Sequence, residues 1–238
     1  MTTERKRIEA NLALVGARIA QAAARAGRDS DAVQLIVVSK GRSAKAIQAA
    51  YQAGVREIGE NRVEEALPKQ DQLANLEDLH WHMVGHIQSR KAKLVAPNFD
   101  WVHSVDRLKI ARMLDHQAHE LGRRLSVLIE CNVSGEESKS GWAMHDKALW
   151  GQALPEFKEL AKLANLEVCG LMTMAPWTAD EQLLRSVFGR LRDLREYLRE
   201  RLPGQWRELS MGMSDDFELA VEEGATMVRI GRAIFGEA

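Results

Sequence analysis

The stretch VQLIVVSKGRSAKAIQAAYQAGVREIGEN, residues 33–61, shows the pattern on which the whole chain is built. Its apolar run VQLIVVS (33–39) has the composition of a buried strand, a helical stretch follows, and a second apolar run, REIG, stands at 56–59. Strands that alternate with helices are typical of parallel sheets in α/β proteins. The stretch therefore predicts one β-α-β unit, and the fold depends on how often that unit recurs.

Six further apolar runs follow with helical stretches between them, namely HWHMVG (80–85), WVHSV (101–105), LSVLIECNV (125–133), LEVCGLMTM (166–174), RELSMG (207–212) and TMVRIG (226–231). Eight strands with intervening helices in roughly 200 residues match a closed (β/α)₈ barrel better than an open doubly wound sheet. Residues 4–26 carry apolar residues at helical spacing. We therefore predict a single α/β domain over residues 1–238, a (β/α)₈ TIM barrel, with an additional N-terminal capping helix within residues 1–27.

Composition and charge narrow the class of protein. The chain has 238 residues, 45% of them hydrophobic, and its 33 basic and 34 acidic residues leave a net charge of -1. No strong field favours nucleic acid or an anionic membrane, so neither is an expected partner. No apolar run approaches the roughly 18 residues of a membrane span, and the charged N-terminus does not resemble a secretory signal. We expect a cytoplasmic protein whose two cysteines are buried free thiols.

Functional side chains in such barrels lie where a strand ends and its loop begins. Lys40 follows the first strand on the same face as Ile36 and Val38, so it is expected to face the barrel mouth. Partly apolar surroundings lower the pKa of a lysine and make it a nucleophilic amine that can form a Schiff base with a carbonyl group. The alternative is a loop lysine that only reaches solvent.

The last two strands end in turns suited to phosphate. ELSMGMSDDFELA (208–220) places a glycine and two serines before a helical stretch, and Ser214 is predicted to be the N-cap of that helix. VRIGRAIFG (228–236) runs a strand into Gly231 and a short helical turn. Barrels commonly bind phosphate at these two loops. A reactive lysine opposite a phosphate site predicts a phosphorylated carbonyl ligand, which leaves a phosphosugar aldolase and a pyridoxal 5'-phosphate (PLP) protein as alternatives.

Six segments, in order, resemble one family: VVSKGRSA, EIGENRVEEALPK, WHMVGHIQSRK, NVSGEESKSGW, GLMTMAP and LSMGMSDDFELAVEEGATMVRIGRAIFG. They are similar to the YggS/PROSC pyridoxal phosphate homeostasis proteins, which themselves resemble the barrel domain of alanine racemase. The resemblance extends from about residue 8 to residue 236. It implies PLP as the cofactor.

The resemblance also implies roles for individual residues. Lys40 corresponds to the lysine that holds PLP as a Schiff base, and Asn61 to a residue near the cofactor ring. Arg229 corresponds to the arginine that faces the pyridine nitrogen, where a positive charge disfavours protonation and weakens the ring as an electron sink. The phosphate is assigned to Ser214, Gly231 and Arg232. The predicted cofactor-binding set is Lys40, Asn61, His86, Ser210, Met211, Ser214, Arg229, Gly231 and Arg232.

The function implied is to bind PLP and to act in intracellular vitamin B6 and amino acid homeostasis. Racemases invert a centre with acid and base groups on both faces of the cofactor. The sequence ends soon after residue 236 without a second domain to supply the opposite group, so we expect no evident turnover. We also expect the protein to be a monomer. Delivery of PLP to dependent apoenzymes is left open. A single-domain racemase and a Schiff-base aldolase are the alternatives.

A zinc site is the main rival that does not involve lysine. His80 and His82 share one face of a strand, and His86 follows it. Barrel zinc sites also need ligands from later strands, where this chain places the cation Arg229. We therefore predict no metal site and expect His86 to be a polar neighbour of the cofactor pocket.

Overall fold

Eight parallel strands close into a barrel in the computed structural model, which describes residues 3–236. Neighbours follow the order β4, β3, β2, β1, β9, β8, β7, β5, and β4 pairs with β5 to complete the ring. A two-residue strand, β6 (Trp142–Ala143), pairs with β5 outside the ring. The barrel strands are β1 (Gln34–Val38), β2 (Glu57–Glu60), β3 (His80–Met83), β4 (Trp101–Val105), β5 (Leu125–Asn132), β7 (Leu166–Met172), β8 (Glu208–Ser210) and β9 (Met227–Ile230).

The helices of the described residues surround this ring, and the predicted (β/α)₈ barrel is confirmed. Each predicted apolar run overlaps one barrel strand. No helix within residues 3–236 has the length and apolar character needed to cross a membrane. The helices are α1 (Thr3–Arg25), α2 (Ala44–Gln52), α3 (Val63–Gln72), α4 (Ala92–Val95), α5 (Leu108–Glu120), α6 (Lys147–Leu160), α7 (Glu181–Arg199), α8 (Phe217–Glu222) and α9 (Arg232–Phe235).

The apolar core has two parts, because successive side chains of a strand point to opposite faces. The larger part lies between the strands and the helices, and the stripe that α7 contributes to it is fully buried. The smaller part lies inside the barrel and consists of Ile36, Leu128, Cys169, Met172 and Met227. Both cysteines are buried free thiols, as predicted.

The additional helix α1 packs against α2, α8 and α9, which are the helices that follow β1, β8 and β9. Its buried face includes Ile8, Val15 and Ile19. Asn11 Nδ2 donates to the carbonyl of Ile234 in α9 at 2.9 Å. The helix thus lies beside the part of the ring where the predicted site is located. Residues 1, 2, 237 and 238 of the predicted domain lie outside the described residues.

The prediction that Ser214 caps α8 is wrong. The helix begins at Phe217 with Asp216 in the N-cap position. The Oδ1 atom of Asp216 accepts a hydrogen bond from Met213 N at 2.5 Å, which closes a tight turn ahead of the helix. Ser214 is left free to turn toward the neighbouring loop, where its Oγ accepts from Ala233 N at 3.4 Å.

Candidate functional site

The site depends on the closure of the barrel, which makes β1 and β9 neighbours. They are paired in parallel with Ile36 opposite Arg229 and Val37 opposite Ile230. Lys40 lies two residues beyond the end of β1, and Gly231 follows β9 directly. The first and last strand ends of the barrel therefore meet at one side of its mouth.

Lys40 projects into an open region of the mouth and is exposed. The chain turns immediately after it at Gly41, whose φ of 70° lies in the left-handed region that favours glycine. Arg42 Nη2 donates to the carbonyl of Gly236, which ties this loop to the end of α9. The sharp turn directs the loop away from the mouth and leaves the Lys40 amine accessible.

A cavity of about 570 Å³ lies between Lys40 and the turns after β8 and β9. Its outer rim is apolar and includes Met174 and Trp177, the latter with 95% of its surface exposed. Six members of the predicted cofactor-binding set line it together, namely Lys40, Asn61, Ser214, Arg229, Gly231 and Arg232.

The other three members of the predicted set lie elsewhere. His86 lines the adjoining cavities on the side of β3, and its Nδ1 lies 2.9 Å from Asp106 Oδ2. Ser210 and Met211 are fully buried. Ser210 therefore acts below the cavity through its contact with Arg229 and does not line it.

The turn after β9 leaves no room for a side chain at Gly231. A Cβ atom there would lie 2.9 Å from the carbonyl oxygen of Val38 in β1. The Arg232 guanidinium pairs with the Asp215 carboxylate across the two turns. The backbone of this turn, one hydroxyl and one guanidinium thus face the same end of the cavity, which is a donor set suited to phosphate.

Arg229 is the cation beneath the cavity, with only 4% of its surface exposed. Its Nη1 donates to Ser210 Oγ at 2.5 Å and its Nη2 to the carbonyl of Thr173 at 2.9 Å. Burial lowers its pKa to about 10, against the attraction of Asp216 and Glu130. The guanidinium is therefore positively charged at neutral pH and held by two hydrogen bonds.

An unpaired oxygen marks the cavity as a place for a ligand donor. The Oδ1 atom of Asn61 is buried without a hydrogen-bond partner among the described residues, yet Asn61 lines the cavity. Buried polar atoms in native proteins are nearly always hydrogen-bonded. A polar ligand at this position would satisfy it, so the residues present fit a phosphorylated carbonyl compound such as PLP.

A buried ion pair behind β1 and β2 was not predicted. Lys69 Nζ lies 2.5 Å from Glu60 Oε1 and donates to the Ser39 carbonyl at 3.0 Å. The Ser39 carbonyl belongs to the peptide that precedes Lys40, so this pair fixes the backbone from which Lys40 extends. The signal in the sequence was a lysine three residues after the buried Ala66, on the inner face of α3.

A second unpredicted group lies in a recess of about 210 Å³ beside the cavity at Lys40. Glu130, near the end of β5, lines this recess together with Asn132 and Lys139 and is 7% exposed. Burial, together with the nearby Asp106, raises the pKa of Glu130 to about 7 against the opposing effect of Arg229. The Glu130 carboxyl is therefore partly protonated at neutral pH.

The three histidines considered for zinc do not converge. His82 Nδ1 lies 2.9 Å from His103 Nε2 inside the barrel, whereas His80 and His86 face opposite ends of it. Across residues 3–236, no group of three or more histidine, cysteine or carboxylate side chains is arranged to hold a metal ion.

Comparison with known proteins gives the family. The model of the alanine racemase N-terminal domain matches residues 10–238. A pyridoxal phosphate homeostasis protein of Pseudomonas aeruginosa is 48% identical over 230 residues, which cover 96% of this chain and 95% of that protein. The chain belongs to the pyridoxal phosphate homeostasis family. An Escherichia coli protein of the same description is 40% identical over 232 residues, 95% of this chain and 94% of its own.

Solved structures agree with this family assignment. PipY of Synechococcus elongatus, in a structure with PLP bound, superposes on this chain with a TM-score of 0.83 at 39% sequence identity. The match covers 96% of this chain and 100% of the PipY chain. A protein from Bifidobacterium adolescentis reaches a TM-score of 0.90 at 37% identity, covering 99% of this chain and 97% of that one. An alanine racemase of Clostridium difficile, at 14% identity and a TM-score of 0.73, shares the fold, covering 98% of this chain and 60% of its own.

Proposed function

We propose that this protein binds PLP covalently through Lys40 and acts in intracellular PLP and amino acid homeostasis. The observation that carries the proposal is the meeting of Lys40 with Ser214, Gly231 and Arg232 at adjacent strand ends around one cavity. PipY, a relative that is 39% identical to this chain, is described with PLP bound. When bound, PLP supplies a reactive aldehyde that an amine can take up reversibly.

The predicted residues that line the cavity each have a role in this proposal. Lys40 supplies the amine for the Schiff base, and Ser214, Arg232 and the backbone at Gly231 bind the phosphate. Arg229 faces the ring with a fixed positive charge, and Asn61 Oδ1 accepts a hydrogen bond from the ligand. His86, with Asp106 as its partner, lines the recess that adjoins this cavity.

The proposal includes a carrier role without catalytic turnover. The relatives are described as homeostasis proteins and not as enzymes. A cation facing the ring nitrogen disfavours its protonation, and an unprotonated ring stabilises negative charge poorly. Cytoplasmic location, a monomeric state and transfer of PLP to dependent apoenzymes are parts of the same proposal.

The experiment is to titrate the purified protein with PLP, record its near-visible absorption, and reduce the product with borohydride before peptide mass analysis. We expect the cofactor mass on the peptide that contains Lys40, and its loss in Lys40→Ala. Lys45→Ala is the matched control, because Lys45 is an exposed lysine in the adjacent helix α2.

Several outcomes would contradict all or part of the proposal. A protein that stays colourless with excess PLP does not hold the cofactor, and an unchanged adduct in Lys40→Ala assigns the bond to another lysine such as Lys139. An aldolase would instead be trapped by borohydride with a sugar phosphate. Measurable racemisation of alanine by the PLP-loaded protein would contradict the carrier role while leaving PLP binding intact.

A further inference from the structure

Five polar side chains form a continuous hydrogen-bond chain through the barrel interior. Glu57 Oε2 lies 2.6 Å from His82 Nε2, and His82 Nδ1 lies 2.9 Å from His103 Nε2. His103 Nδ1 lies 2.9 Å from Ser210 Oγ, which is the oxygen that accepts from Arg229 Nη1. We call Glu57, His82, His103, Ser210 and Arg229 the interior chain.

The interior chain links the two ends of the barrel. Glu57 is the first residue of β2 and lies at the end opposite the mouth, with 17% of its side chain exposed. The three middle members, His82, His103 and Ser210, are fully buried. Trp101 stacks on the His82 ring with centroids 5.9 Å apart, which fixes the ring plane. The side chain beneath the cofactor cavity is thus connected to a carboxylate at the far end.

The number of available protons fixes which atom donates in each hydrogen bond of the interior chain. Arg229 can only donate, so Ser210 Oγ accepts from it and directs its own proton to His103 Nδ1. His103 then carries its proton on Nε2 and donates to His82 Nδ1, and His82 in turn donates from Nε2 to Glu57. Four links use four protons, and both histidines are neutral Nε2–H tautomers.

The electrostatic surroundings agree with this count. Burial, with the nearby His82 and Arg229, holds the pKa of His103 well below its usual range, so His103 is neutral. Burial raises the pKa of Glu57, but hydrogen bonds from His82 and His80 outweigh it and the net shift is downward. A proton added to either histidine would leave the Ser210 hydroxyl hydrogen without an acceptor, because the described residues offer it only His103.

We propose that Glu57, His82 and His103 are positioning residues for Arg229. The Glu57 carboxylate fixes the tautomers of the two histidines, and these make Ser210 an acceptor that holds the guanidinium toward the mouth. The effect of this positioning on bound PLP rests on the proposed function. The direction of the hydrogen bonds in the interior chain is independent of that function, and it is tested on the cofactor-free protein.

The first test is ¹⁵N NMR of the histidine rings in the full-length cofactor-free protein at neutral pH. We expect both His82 and His103 as single Nε2–H tautomers. Either ring found as an Nδ1–H tautomer or as an imidazolium overturns the proposal, and this result needs no variant that might fail to fold.

The second test replaces Glu57. Glu57→Leu removes the terminal acceptor, so we expect mixed tautomers at both histidines and loss of the separately resolved Nη signals of Arg229. Glu57→Gln keeps an acceptor oxygen and should restore both. His80→Gln is the matched control, because His80 contacts Glu57 at 3.1 Å but lies outside the interior chain. Unchanged tautomers and Nη signals in Glu57→Leu would overturn the proposal.

The third measurement concerns the cofactor. If PLP binds, Glu57→Leu should shift the absorption maximum of the bound form, and His80→Gln should not. An unshifted maximum would show that Arg229 does not transmit the change to the ring and would overturn that part of the proposal. Failure of PLP to bind any variant, the unaltered protein included, would contradict the proposed function and leave the tautomer result standing.

Discussion

At the scale of single residues, Glu130 has the clearest effect on pH dependence. Its pKa is about 7 in the folded protein and 4.5 as the ordinary value, with burial as the main cause. The folded state therefore binds more protons than the unfolded state between pH 4.5 and 7. Under proton linkage, the free energy of unfolding must fall as the pH rises through this window.

Glu130→Gln should remove this fall in the free energy of unfolding, because the glutamine amide is neutral at every pH. We expect the variant to exceed the unaltered protein in free energy of unfolding by up to about 3 kcal/mol at pH 8 and by little at pH 4.5. Urea unfolding at both pH values measures the difference. Glu137→Gln, in the exposed loop after β5, should change stability by less than about 0.5 kcal/mol. An equal effect of Glu130→Gln at both pH values would contradict the assignment.

At the scale of elements, the sequence predicts the strands and their order well because apolar runs reflect burial on both faces. Once the ring is closed, the meeting of Lys40 with Gly231 and Arg232 follows from chain order alone. The interior chain could not be predicted in this way. The hydrogen bond from His103 to Ser210 joins residues 107 apart and depends on side-chain layers that only the closed barrel defines. Of the two histidines in the interior chain, the sequence pattern indicates a role only for His82, within the zinc alternative that is rejected.

The loops that follow β2 and β3 approach each other closely, and this contact gives a prediction at the same scale. A Cβ atom at Gly85 would lie 2.2 Å from the carbonyl oxygen of Asn61. Gly85→Ala should therefore push the two loops apart, lower the free energy of unfolding by about 1–3 kcal/mol, and weaken PLP binding through displacement of Asn61.

The matched control for Gly85 is Gly16→Ala in the middle of α1. A Cβ atom at Gly16 meets nothing within 4 Å, and alanine favours a helix. We expect this change to raise the free energy of unfolding by about 0.5–1 kcal/mol without an effect on PLP binding. Thermal unfolding with and without PLP measures both quantities. If Gly85→Ala and Gly16→Ala had the same stability and the same PLP binding, the two loops would separate without a loss of free energy, and the prediction would be wrong.

At the scale of the whole molecule, α1 joins the parts of the barrel that carry the site. Arg18 and Arg25 pair with Glu218 and Glu222 of α8 at 2.6 Å, and Arg7 donates to the carbonyl of Phe235 in α9 at 3.2 Å. The turns that precede α8 and α9 form the end of the cavity that is proposed to bind phosphate. The helix that begins the described chain therefore supports turns that lie about two hundred residues later.

Ile8→Ala tests this support, because Ile8 is fully buried in the face that α1 turns toward the barrel. Loss of its side chain leaves a cavity under α1 and should lower the free energy of unfolding by about 2–5 kcal/mol. It should also weaken PLP binding measured well below the unfolding temperature, since α8 and α9 lose part of their packing. Leu14→Ala is the control, because Leu14 lies on the same helix with 60% of its surface exposed, and neither quantity should change beyond about 0.5 kcal/mol. Unchanged PLP affinity in a destabilised Ile8→Ala would mean that the phosphate turns hold their geometry without α1.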